Sequence, residues 1–153
     1  MKTFEELIAL LGTWLQDLDG PVDAKNATIT DGVTLKMPRT KDLVVTFPED
    51  SSVEPEQLPA IVLEVEGSML EHVAPVRGAM AASLYLVEEA QTASKARLKL
   101  SRWVGVIRSH CTSGASLLDS NIRIVPRRES YVMGKAKGDL NAFQLKVDLI
   151  VTF

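Results

Sequence analysis

A chain of 153 residues with one cysteine, seventeen Lys or Arg and twenty Asp or Glu is long enough for a single domain that buries roughly two-thirds of its unfolded surface. It has no partner thiols for a disulfide framework or a thiolate metal cluster. Its apolar runs are only a few residues long and its first residues lack the basic-then-apolar pattern of a secretory signal, so the expectation is a soluble, intracellular protein with no membrane partner.

The net charge of −3 conceals a polarity. Residues 1–75 hold five basic against fourteen acidic side chains, and residues 76–153 hold twelve against six. Such a split suits self-association, an acidic face of one subunit meeting a basic face of the next; solvated faces of one subunit would produce it too. The basic residues are dispersed and the total is acidic, which argues against specific nucleic-acid recognition.

In chain order, Thr3 with Glu6 three residues on forms a capping-box signal. Phe4, Ile8, Leu11, Leu15 and Leu18 then repeat at spacings of four and three, predicting an amphipathic helix over residues 4–18 that Gly20-Pro21 stops. Trp14 falls off the centre of that stripe and reads as a core-edge residue. Residues 23–31 read as a polar turn region, and alternating Val33, Leu35 and Met37 predict a short edge strand before Pro38. Residues 43–47 (LVVTF) form a β-branched strand closed by Pro48, followed by an acidic connector over 49–57.

Ile61, Leu63 and Val65 alternate with Val62, Glu64 and Glu66 in the next strand. Residues 68–77, with His72 and Pro75, read as a bent connection. Met80, Ala82, Leu84 and Leu86 open a strand that is apolar on both faces, hence central, and Glu88-Glu89 ends it. Thr92 is an N-cap for a second helix with Ala93, Ala96, Leu100, Trp103, Val104, Ile107 and Cys111 as its stripe; Lys95, Lys99 and Arg102 share the other face, and Gly105 suggests a close approach to the sheet. Ile122, Ile124 and Val125 predict a strand stopped by Pro126. Arg127, Arg128 and the GKAKG segment read as a basic flap around Tyr131.

The chain closes on FQLKVDLIVTF. Phe143, Leu145, Val147, Leu149, Val151 and Phe153 occupy alternate positions, so one face of a long strand is apolar throughout. A strand of this kind frays unless paired, which places it inside the sheet. The whole is read as α+β: a single domain over residues 1–153, with a mainly antiparallel sheet covered on one face by two amphipathic helices.

Chemical motifs are sparse. His110 and Cys111 are adjacent and diverge by about 100° on a helix, which prevents them from acting as a base and nucleophile pair. His72 with Cys111 is an alternative pair. Glu64 and Glu66 share one strand face roughly 7 Å apart, a carboxylate spacing that a solvated sheet face also produces. No phosphate-loop or zinc pattern is present. The expectation is no cofactor, no metal and no catalysis.

Taken as a whole the order of elements resembles the tail terminator or tail-completion proteins of tailed bacteriophages. The likeness lies in the amino-terminal helix, the LPAIVLEVE strand of residues 58–66, the long strand leading into a helix that contains WVGVIR, and the final strand, Gly- and Lys-rich loop and terminal strand of residues 122–153. The resemblance implies a homo-oligomer, a hexameric ring, that stacks on the major tail tube protein and meets a head-completion or connector protein, in a virion assembled in the host cytoplasm. It carries over no catalytic residue. Expected assembly contacts are Glu49, Asp50, Glu54 and Glu56 in the acidic connector, His72 and Arg77 in the bent connection, and Arg127, Arg128, Lys135 and Lys137 in the basic flap. The polar stretch 21–41 departs from the family pattern. Alternatives are another tail, baseplate or secretion-system component, or a small ligand-binding or hydrolytic domain.

Overall fold

The computed structural model describes residues 4–46, 57–66, 79–89, 92–112, 122–133 and 142–152. Helix α1 (Phe4–Gln16) and helix α2 (Asp19–Asn26) are followed by a short 3-10 turn (Thr40–Asp42) and strands β1 (Leu43–Thr46), β2 (Ala60–Val65) and β3 (Ala79–Glu89). Helix α3 (Ala93–Thr112) and strands β4 (Arg123–Met133) and β5 (Ala142–Thr152) complete the fold. The five strands form one sheet in the order β1-β2-β3-β5-β4, antiparallel except for the β1–β2 pair. The α+β architecture expected from the sequence is therefore present.

The closing strand does what its alternation requires. β5 lies between β3 and β4, paired along its whole length on both edges. Phe143, Leu145, Val147, Leu149 and Val151 are all buried against the helices, in one cluster with Ile61, Leu63, Leu84 and Leu86. α3 contributes Leu100, Trp103 and Ile107 to that cluster, and α1 contributes Leu7, Leu11 and Leu15. On the opposite face Val62, Tyr85, Val87, Lys146 and Ile150 are only half-buried.

Several sequence expectations are corrected. Gly20-Pro21 does not stop the first helix but sits in the first turn of α2. α1 ends at Gln16, and a turn at Asp17 and Leu18 leads directly into α2, where Val22 N–H donates to the Leu18 carbonyl at 2.9 Å. A proline without an N–H is tolerated in a first turn, where that donor has no helical acceptor. The polar stretch after it is therefore helical as far as Asn26. Thr3, the expected cap, lies outside the described residues.

Residues 33–37 are not a strand. Their backbone groups bond to side chains: Leu35 N–H donates to Asn26 Oδ1 and Asn26 Nδ2–H donates to the Leu35 carbonyl, both at 2.8 Å, while Arg102 donates to the Val33 carbonyl. Leu35 is buried and Met37 packs on the core, so the alternation reflects burial without a strand partner.

Pro126 does not end β4. It is an edge strand, and the register passes from Pro126 opposite Leu149 to Arg128 opposite Asp148, which makes Arg127 the extra residue of a bulge. Edge strands and bulges are where proline is admitted, because no ladder bond is lost. Arg127, Arg128 and Tyr131 accordingly belong to a strand and not to a flap.

Three helix details also differ. Trp14 is fully buried at the centre of the α1 face. Ala93 is exposed, while Val106 and His110 are buried, because α3 packs against α2 as well as the sheet and so buries a wider arc than one stripe. Gly105 is exposed with open space around it, so it marks no close approach.

Candidate assembly surface

The sheet order turns the charge split of the chain into a spatial one. On the face away from the helices, β2 presents Glu64, with Glu66 just beyond its end, while the outer strand β4 presents Arg123 and Arg128, with the bulged Arg127 beside them, all three arginines exposed. Between them β5 carries both signs: Lys146 Nζ lies 3.5 Å from Asp148 Oδ1 and 5.7 Å from the centre of the Tyr85 ring. On the open sheet face the acidic side chains thus lie on the β2 side and the exposed basic ones on the β4 edge, while Arg39 and Lys41, also exposed, precede β1. Glu5 on α1, which packs beside β1, is exposed and adds to the acidic side.

β4 is an edge strand with no described neighbour on its outer side. Val125 and Tyr131 on it are 44% and 51% exposed, the most exposed large apolar residues among those described. Val125, opposite Ile150, shares the open face with Arg128, whereas Tyr131, opposite Leu145, lies on the helix side of the strand. The bulge at Arg127 and the charges around it protect this edge from indiscriminate strand pairing. The strand is anchored from behind by α3: Arg108 donates to both carboxylate oxygens of Glu129, through Nε and Nη2, each at 2.6 Å.

Of the contacts expected from sequence, Arg127 and Arg128 lie together on this strand. Glu49, Asp50, Glu54, Glu56, His72, Arg77, Lys135 and Lys137 lie outside the described residues. Of the alternative chemical pairs, His72 lies outside the described residues, which leaves Glu64 with Glu66, and Cys111, to be placed. Glu64 is half-buried on the open sheet face and Glu66 is exposed beyond the strand end. Cys111 is partly buried, and burial pushes its thiol up to about 12, leaving it protonated and a poor nucleophile. Among the described residues no group of three or more His, Cys, Asp or Glu side chains could hold a metal, and no helix is long and apolar enough to cross a membrane.

His110, whose ring diverges from Cys111 along the helix, has a structural role. Its ring stacks on Trp14 with centroids 4.8 Å apart, and Nε2–H donates to the Trp14 carbonyl at 2.7 Å. That carbonyl lies in the last turn of α1, where acceptors lack helical donors. Burial holds the His110 pKa below its ordinary value, partly offset by the bond to Trp14 and by Asp17 and Asp19 nearby.

A second buried polar group lies at the end of β3. Glu88 is 2% exposed, accepts a hydrogen bond from Trp103 Nε1–H at 2.8 Å, and has Lys99 Nζ 3.7 Å from its other oxygen. Burial raises its pKa, opposed by Trp103 and Lys99. The sequence offered one cue to this cluster, Glu88 at a position that continues the buried alternation of Leu84 and Leu86.

In comparisons with known proteins, no family model and no characterised protein matches this chain.

Proposed function

We propose that this chain is a structural assembly protein that associates head to tail into a homo-oligomeric ring, and that its task is tail termination in a tailed bacteriophage. In this reading the ring caps the tail tube, joins it to a head-completion protein and has no catalytic role. The observation that carries the proposal is the separation of acidic and basic side chains across one sheet, with Glu64 and Glu66 toward one side and Arg123, Arg127 and Arg128 on the opposite edge strand. One surface of each kind on every subunit is what a heterologous, ring-closing contact requires. The resemblance in element order supplies the particular task.

Sedimentation velocity over a wide concentration range, at low and high salt, tests this reading. A discrete closed oligomer that loosens as salt screens the contact is expected. A monomer under all conditions that also fails to bind tail tube protein would refute it.

A further inference from the structure

A cleft of about 450 Å³ opens between the segment 32–36, the start of β2, the end of β3 and the first turns of α3. That volume lies within the range of small-molecule sites. The ionisable groups lining it are Lys36, Lys95, Lys99, Glu88 and Glu89, and Leu58 and Pro59 give it an apolar wall.

The walls are held in place before any ligand arrives. Arg102 bonds both carboxylate oxygens of Asp31 and the carbonyl of Val33, fixing the segment 32–36 on α3. The Asn26–Leu35 amide pair fixes the same segment on α2. Within the cleft, Glu88 is already engaged by Trp103 and Lys99, while Glu89, its neighbour on the strand, is exposed and also lines the cleft. Lys36 and Lys95 form no ion pair among the described residues. The cleft therefore holds three ammonium groups against two carboxylates, a surplus of one, beside an apolar wall, with the buried Glu88 orienting Lys99.

We propose that this cleft binds a small organic anion, its oxyanion head taken by Lys36, Lys95 and Lys99 and its apolar part lying on Leu58 and Pro59. Glu88 serves as a positioning residue for Lys99. This inference is independent of the assembly reading, since β4 and the open sheet face form no part of the cleft.

The Trp103 indole N–H, bonded to Glu88, is a built-in reporter. Its NMR resonance is followed while citrate or inorganic phosphate is added to the full chain at constant ionic strength, with chloride as the matched control. A saturable shift with citrate identifies a carboxylate head, and one with phosphate a phosphate head; either supports the proposal. Lys36→Gln with Lys95→Gln should then weaken the apparent affinity about tenfold or more while leaving the melting temperature unchanged, because both side chains extend to solvent. No saturable shift with either probe, the same shift with chloride, or undiminished binding in the double variant would overturn it.

Discussion

Replacing Trp103 by Phe removes one hydrogen atom's worth of chemistry that the core depends on. Glu88 is 2% exposed and its closest donor is the Trp103 indole N–H at 2.8 Å. A hydrogen bond to a charged buried group contributes about 1.5–3 kcal/mol, and the lost ring area adds about 1 kcal/mol. Trp103→Phe should therefore destabilise the protein by about 3 kcal/mol, which for a chain of this size lowers Tm by about 6–12 °C. Glu88→Leu alone should also destabilise, by leaving the indole donor buried without an acceptor. The double variant should recover much of the loss, since removing both partners of a buried pair removes the unsatisfied group. Urea unfolding of the four proteins gives the coupling energy, expected at about 1.5–3 kcal/mol. The pH dependence carries a sign. Because the folded-state pKa of Glu88 is raised, its favourable contribution is complete below the unfolded value of 4.5 and is lost as pH rises through the folded value. The Trp103 bond opposes that rise in pKa and so stabilises the carboxylate more than the acid, and the Trp103→Phe defect should therefore shrink as Glu88 protonates in acid. Additive effects within about 0.5 kcal/mol, or a defect independent of pH, would refute the role assigned to this pair.

Three further outcomes are expected. Burial depresses the His110 pKa in the folded state below 6.5, so stability should be level above that pH and fall as pH drops toward the folded value; unfolding midpoints in His110→Asn should lack this component. Leu145→Ala, on the interior strand with a fully buried side chain, should cost about 2–5 kcal/mol by urea unfolding. The Cys111 thiol, pushed up to about 12, should alkylate far more slowly in the folded protein than in urea at the same pH; equal rates would contradict its burial.

The strands that pack against the helices were readable because their burial follows a strict period of two: Ile61 to Val65, Met80 to Leu86 and Phe143 to Val151 all appear where alternation places them. Misreadings arose where another interaction took over from local pattern. Pro21 reads as a stop because the first turn of a second helix looks in sequence like the end of the first. Pro126 reads as a stop because its edge position and the bulge at Arg127 depend on strand order. Val33, Leu35 and Met37 alternate, yet their hydrogen bonds go to Asn26 and Arg102, residues at separations no short window samples. The basic strand was legible as Arg127 and Arg128 but not as a surface, since its distance from Glu64 follows from sheet topology.

The head-to-tail contact is tested most directly by charge exchange. One variant carries Arg123→Glu, Arg127→Glu and Arg128→Glu, and a second carries Glu5→Lys, Glu64→Lys and Glu66→Lys. All six side chains lie at least partly in solvent, so both variants should fold with melting temperatures near that of the parent. Native mass spectrometry should show each variant failing to form the closed oligomer by itself and an equimolar mixture recovering mixed oligomers, as opposite charges meet again. Oligomers that form unchanged in either variant, or a mixture that assembles no better than its parts, would contradict the contact between the acidic side of one subunit and the β4 edge of the next.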